Sequence, residues 1–304
     1  MKVPNRQNLF WAGTFLPDLS IFLSTVIWGL TFTILKVFVG IRISPAFFVF
    51  IRFTFSALIL LPLCLKALKK IGMRGWRDGI FLGILIFAGF LLQSIGIMHT
   101  TASKAGFITG LSAVFVPIFL FLHLRQVPRL LNLAALIFAV IGMYLLTEPL
   151  GGGFTLGDFL ILLCAISFGA QIYFMGVATP NRDSLALTWI EIATTAFLAM
   201  LILPFEDVKF DFSRDTLIAL AFMTVMATAI GLFIQTWAQK RTSSVKAGII
   251  LTAEPLFAFM FASLFLGERF TFSQKAGGAI VIMAVVITEL IPLFNKSAPK
   301  SLES

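Results

Sequence analysis

Long apolar runs decide what this chain can fold into. Its 304 residues present stretch after stretch of about 20 predominantly apolar residues, the length that carries one helix across a bilayer. Hydrophobic residues make up 59% and charged residues 12%, roughly half the charged share of a soluble domain. Such a chain cannot clothe a soluble core with a wet surface. A membrane β-barrel would instead show segments of about ten residues with alternating polarity, and the sequence has no such pattern. The expected fold is therefore an all-α membrane protein with ten transmembrane helices. The approximate spans are 18–38, 46–65, 79–98, 105–124, 130–147, 158–178, 185–203, 216–237, 247–266 and 276–294. Pro45, Pro128, Pro180 and Pro204 fall in connections, and Gly151, Gly152 and Gly153 join spans five and six. Ten spans take about 200 residues, and the short connections that remain hold no separate soluble domain.

Charge sets the expected orientation, because Lys and Arg collect in short cytoplasmic loops. Most of the 23 Lys and Arg lie in the N-terminal stretch, in the connections after even-numbered spans and in the C-terminal tail. The longest connection on the other side is acidic, with Glu206, Asp207, Asp211 and Asp215. Both termini are therefore expected in the cytoplasm. Met1 to Leu16 is short, mixed and without a cleavage-like site, so it does not read as a secretory signal. The net charge of +9 sits in short loops between spans and implies no nucleic-acid partner. The lipid bilayer is the expected environment.

The chain also repeats itself. Gln93–Phe115 (QSIGIMHTTASKAGFITGLSAVF) aligns without gaps on Gln235–Phe257 (QTWAQKRTSSVKAGIILTAEPLF) at an offset of 142 residues. A weaker match at an offset of 140 sets STVIWG, ending at Gly29, over CAISFG, ending at Gly169. Five spans separate matched positions, and five is odd, so the two halves must face opposite ways across the bilayer. This organisation gives a first repeat over 1–148, a second over 154–295 and a cytoplasmic tail over 296–304. Inverted repeats are a device of secondary transporters, with the substrate site near mid-membrane between them.

Several segments carry a family resemblance. They are Trp237 and Ala238, Lys246 and Ala247, Glu254 and Pro255, and LFLGER from Leu264 to Arg269. Trp28 and Gly29, Arg52 and Phe53, SKAGF and VFVP add to them in the first half. Together they resemble the EamA-type branch of the drug/metabolite transporter superfamily over nearly the whole chain. The resemblance implies ten helices in a five-plus-five inverted arrangement. It also implies a central cavity walled by spans one, three, four, six, eight and nine, a bacterial inner-membrane permease, and export of amino acids, other small metabolites or drugs. A homodimer is compatible with it. One departure stands out: where the first repeat of the family often carries a Gly-Glu-Arg loop, this chain reads His123, Leu124, Arg125, Gln126.

Polar groups inside spans are costly and need a partner, a wet cavity or a route to the interface. Glu254 is the foremost of them. Pro255 follows it and cannot donate to Leu251, which frees a carbonyl and favours a kink. Glu254 is expected to bind a cationic group or to carry a proton for coupled transport; a structural carboxylate bonded to a neighbouring helix is the alternative. Thr224, Thr228, Gly231 and Gln235 share one face of span eight, and Ser24, Trp28 and Thr31 one face of span one. Ser167 and Gln171 in span six, Thr109 and Ser112 in span four, and Gly89, Gln93 and Gly96 in span three form similar stripes. The expected substrate-binding residues are Trp28, Thr31, Gln93, Thr109, Ser112, Gln171, Thr228, Gln235 and Glu254. Helix–helix packing explains the small residues equally well. Glu254, Pro255, Arg52 and Glu191 are candidates for gating or coupling. Arg52 and Glu191 stand within one residue of the repeat offset; Arg52 either snorkels or pairs with an acid, and Glu191 either snorkels inward or bonds a hydroxyl.

Other classes fit less well. The chain has no Walker A pattern, no His-Glu-x-x-His and no Gly-x-Ser-x-Gly. Its two cysteines, Cys64 and Cys164, lie in apolar runs, and its two histidines are isolated. Asp18 and Asp158 sit at span ends and the other aspartates lie in loops. No catalytic residue, metal or cofactor is expected. The expected function is a secondary transporter exporting amino acids or related small metabolites. The alternatives are an exporter of cationic drugs or nucleoside-type metabolites and, in a different class, a channel or an intramembrane enzyme.

Overall fold

A computed structural model describes residues 15–147, 154–266 and 271–294. Trp11, the glycine run 151–153, the Gly-Glu-Arg end of the LFLGER segment and the tail from 296 lie outside the described residues. The helices in chain order are α1 (Leu16–Phe38), α2 (Pro45–Leu68), α3 (Gly72–Gly96), α4 (Ala102–Gly110 and Ser112–Leu124), α5 (Leu130–Thr147), α6 (Leu156–Ala178) and α7 (Ser184–Ile202). Then come α8 (Arg214–Phe222, Met223–Ile230 and Gly231–Gln239), α9 (Ser244–Leu251 and Glu254–Leu266) and α10 (Phe272–Phe294). Eight of these segments are long and apolar enough to cross a membrane; the apolar parts of α5 and α10 are shorter. The molecule is thus a multi-pass, all-helical membrane protein.

All the observed helices but α5 start earlier than the hydropathy pattern suggests. The largest gap is at α3, which begins at Gly72 rather than near residue 79. Arg74, Arg77 and Asp78 are polar but helical, and hydropathy marks the apolar part of a helix rather than its ends. Side-chain caps set several starts. Thr155 and Asp158 form a reciprocal capping box at α6. Thr101 and Ser243 accept from the backbone N–H groups of Lys104 and Lys246 at the starts of α4 and α9. At α2, the N–H groups of Ala46 and Phe47 donate to the Glu206 carboxylate at 2.8 and 2.9 Å.

Helix pairing is symmetric under exchange of α1–α5 with α6–α10. The α1–α9 contact has its counterpart in α6–α4, α3–α6 in α8–α1, and α3–α7 in α8–α2. The α2–α7 and α5–α10 pairs map onto themselves. The weak Gly29/Gly169 sequence match has a physical basis in this packing. A Cβ on Gly29 would stand 2.5 Å from that of Phe257, and one on Gly169 would stand 2.6 Å from that of Phe115. Phe115 and Phe257 are themselves related by the 142-residue offset. Glycine at both places lets two helix backbones touch.

Two helices are broken and one is widened. The α9 helix stops at Leu251; the N–H groups of Thr252 and Ala253 donate back to Ile249 and Ile250, and a new helix begins at Glu254. Pro255 therefore does more than kink a helix. It sits near the N-terminus of a new one, where its missing N–H costs nothing. The mirrored break in α4 falls at Leu111, with no proline beside it; Pro117 lies within the second piece. The middle of α8, Met223–Ile230, adopts the wider helix with i→i+5 bonding, a form found often at functional positions.

On the α7–α8 side, Arg42 reaches Asp211 at 3.2 Å, and Asp211 accepts from the Ser213 hydroxyl at 2.7 Å and the Ser213 N–H at 2.9 Å. Those Ser213 bonds, more than Arg42, hold the Asp211 carboxyl below the usual carboxylate range. Cys64 and Cys164 are both buried and unbridged.

A candidate substrate cavity and its polar wall

One cavity brings together residues from α1, α3, α4, α6, α8 and α9. Its wall contains Trp28, Thr31, Gln93, Thr109, Ser112, Gln171, Gln235 and Glu254, with Ile86, Phe90, Phe168, Ile172, Leu232 and Leu251 between them. The helix breaks explain why several of these groups face inward. Thr109 and Ser112 flank the interruption of α4, and Leu251 and Glu254 flank that of α9. Ser112 and Glu254 are related by the repeat offset, so one repeat brings a hydroxyl where the other brings a carboxyl. About 60 Å³ is open to water-sized spheres, several times what one water needs.

The wall is organised by amides. Gln93 Nε2 donates to Thr109 Oγ1 at 3.3 Å. Gln235 Nε2 donates to Gln171 Oε1 at 3.1 Å and to Gln239 Oε1 at 3.0 Å. Gln171 Nε2 donates in turn to Glu191 Oε1 at 2.8 Å, and Gln239 Nε2 to the Ile172 carbonyl at 2.8 Å. A hydrogen-bonded chain thus runs from Glu191 on α7, behind the wall, to the cavity surface. Glu191 is fully buried and its Oε2 has no hydrogen-bond partner. Burial and an amide partner define its setting, in place of the expected snorkelling or hydroxyl bond. Trp28 lines the cavity, and its Nε1 donates to the Ala227 carbonyl at 2.8 Å.

Thr228 is placed differently from its neighbours on α8. It is buried away from the cavity wall, where its hydroxyl donates to the Met223 carbonyl at 2.8 Å and accepts from Arg52 Nε. Arg52 is 1% exposed, so it does not snorkel. Among the described residues its charge pairs with no acid. It lies over the Phe90 ring at 4.6 Å and the Phe53 ring at 5.4 Å. Ser56 Oγ donates to the Thr224 carbonyl at 2.8 Å. The widened turn of α8 therefore offers carbonyls that an ordinary helix would consume, and α1 and α2 use them. Of the small-residue stripes, Gly89 packs against Phe168 and Gly96 against Ile161, so both serve helix contact. Ser24 returns its hydroxyl to the Ser20 carbonyl.

Residues outside the expected site also meet across the halves. Asp18 at the start of α1 accepts from Lys246 Nζ at 2.6 Å and from the Thr242 hydroxyl. Asp158 at the start of α6 accepts from Lys104 Nζ at 2.8 Å and from the Thr100 hydroxyl. The signal for them was present: Thr100 and Lys104 map onto Thr242 and Lys246 at 142, and Asp18 onto Asp158 at 140. Gln239, which extends the amide chain, carried no separate signal.

Comparison with known proteins agrees with this architecture. The model of the EamA-like transporter family matches the chain twice, over residues 15–148 and 155–290. An uncharacterized transporter of Archaeoglobus fulgidus is 31% identical, over 90% of this chain and 85% of its own length. A WAT1-related chloroplastic protein of Arabidopsis thaliana is 22% identical, over 90% of this chain and 70% of its own. A solved crystal structure superposes with a TM-score of 0.76 at 14% identity, covering 93% of this chain and all of that one; at that identity the likeness concerns the fold.

Proposed function

The chain belongs to the EamA-like transporter family, in the drug/metabolite transporter superfamily, and we propose that it exports amino acids or related small metabolites as a secondary transporter. In this reading it works by alternating access between two inverted five-helix repeats, 1–148 and 154–295. It sits in the bacterial inner membrane with both termini cytoplasmic. The observation that carries the reading is the cavity, whose wall takes three helices from each half and joins a carboxyl to three amides. Two family matches and exchange-symmetric pairing support the repeat. An odd number of helices per repeat supports its inversion.

The wall's chemistry narrows the cargo. Glu254 supplies a carboxyl, and among the described residues no Lys, Arg or His lines the cavity. A cargo with a protonated amine gains a partner there, and an anion gains none. Gln93, Gln171 and Gln235 can donate to a cargo carboxylate, and Trp28, Phe90 and Phe168 can flank an apolar side chain. A second reading, export of cationic drugs or nucleoside-type metabolites, is favoured by the same unopposed Glu254 beside aromatic rings. In either case a proton on Glu254 competes with the cargo's cation, which would couple export to proton entry.

Matched pairs separate the readings. Thermal unfolding of the purified protein is followed with phenylalanine and phenethylamine, with leucine and isoamylamine, and with adenosine. A ligand at about 100 times its Kd stabilises the folded state by roughly 2.7 kcal/mol. Stabilisation by the amino acids supports the first reading, and stabilisation only by the amines or adenosine supports the second. In both, Glu254→Gln should remove it for amine-bearing ligands. An amine effect that survives Glu254→Gln would refute the role given to this carboxyl.

A further inference from the structure

The two ion pairs that cross between the repeats share an aspartate, a lysine and a threonine; Asp158 also accepts from the Thr155 N–H at 2.8 Å, where Phe15 holds the matching place before Asp18. Each joins an aspartate in the first turn of one helix to a lysine in the first turn of a broken helix from the other repeat. Each aspartate takes a second bond from a threonine four residues before that lysine. Asp18 and Asp158 are 2% and 0% exposed, and the Lys246 and Lys104 side chains 13% and 12%.

They also stand at opposite ends of the molecule. Lys36, in the last turn of α1, donates to the carbonyls of Ile97 and Thr100 at 3.0 and 2.7 Å. The Thr100 hydroxyl donates to Asp158. The Asp158–Lys104 pair therefore neighbours the far end of α1 from Asp18, about 27 Å away at the helical rise. Between the two pairs lies the cavity, and the helices they clasp, α4 and α9, are those whose breaks carry Thr109, Ser112 and Glu254 into its wall.

From this arrangement we infer that Asp18–Lys246 and Asp158–Lys104 are the two gate latches of the carrier, one at each end, broken in turn. This inference rests on the alternating-access reading and adds its moving parts. In this structure both latches are closed, and the cavity between them holds about 60 Å³. Opening one end separates α1 from the start of α9; opening the other separates α6 from the start of α4. Because each latch is built on an aspartate, a lysine and a threonine, releasing one while the other reforms exchanges similar contacts.

The test uses full-length protein in sealed vesicles, with Cys64→Ala, Cys164→Ala and Ser112→Cys as the parent. The probe is the membrane-impermeant cation trimethylammonium-ethyl methanethiosulfonate, added from one face at a time. Lys246→Ala should speed labelling of Cys at 112 from the Asp18 face and slow it from the other, by about tenfold, the scale of a one-latch population shift. Lys104→Ala should do the reverse. The charge exchange Asp18→Lys with Lys246→Asp should restore parental labelling, which separates a latch from a folding defect. Rates equal to the parent's from both faces in both variants, or a change on the same face in both, would overturn the latches while leaving a carrier. Passage of the probe to a thiol dye trapped inside parent vesicles would mean an open pore and would overturn the carrier reading itself.

Discussion

Replacing Gly29 by alanine tests the packing on which the symmetric account rests. The new methyl carbon would stand 2.5 Å from Phe257 Cβ, 2.7 Å from the Ala258 nitrogen and 2.9 Å from the Phe257 carbonyl carbon. Ordinary carbon contacts are about 3.5–4.0 Å, so α1 and α9 must separate by about 1 Å. Two of the three atoms are backbone, and no side-chain rotation relieves them. Overpacking of this kind costs about 1–3 kcal/mol. Gly169→Ala meets Phe115 Cβ at 2.6 Å and the Ser112 carbonyl oxygen at 2.7 Å, so its cost should fall in the same range. The assay is denaturant unfolding of the purified protein, followed by tryptophan fluorescence, for both single variants and the double. The two sites lie on separate helix contacts, so the losses should add to within about 0.5 kcal/mol. A loss below about 0.5 kcal/mol in either single variant would refute the close approach of those backbones.

Three further outcomes follow from the same geometry. Thr228→Val removes the oxygen that accepts from Arg52 Nε in a buried setting and should cost about 1.5–3 kcal/mol, the range for a hydrogen bond to a charged group; unchanged unfolding would show that Arg52 finds its support elsewhere. Gln235→Leu breaks the amide chain between Gln171 and Gln239 and should weaken cargo binding more than stability, read by titration of the cargo against unfolding of the same variant; equal binding at lower stability would make the chain a packing element. Asp211 is held low mainly by Ser213, so its contribution is complete above the ordinary carboxylate pKa and is lost as pH falls through the lowered value. Spin labels at the exposed Ile41 and Phe212 should therefore show a broader distance distribution in acid, and Asp211→Asn should show that breadth at neutral pH.

Much of this fold was legible because a bilayer leaves few options. Apolar runs mark the helices, and the helix centres agree with them. Helix ends were harder: at α3 the first turns carry Arg74, Arg77 and Asp78, and nothing in a hydropathy pattern separates polar helix from polar loop. The cavity was legible at the amides and at Glu254, since such groups inside a membrane need a polar neighbour. Thr228 shares their helical face, but the widened turn of α8 alters the register, and its hydroxyl serves Arg52 instead. The ion pairs were the least legible. Asp18 and Asp158 lie at helix starts, where an acid has an ordinary capping role. Their partners are more than 50 residues away, so the pairs emerge only when the repeat offset is applied to both members.

The most direct test of the central claim is counterflow in proteoliposomes. Vesicles are preloaded with unlabelled amino acids, amines or nucleosides, and uptake of the labelled counterpart is followed with and without a pH gradient. The account predicts that uptake of one amine-bearing class is accelerated by the same solute on the opposite side and saturates with concentration. Uptake that rises linearly and ignores the preloaded solute would contradict an alternating-access carrier.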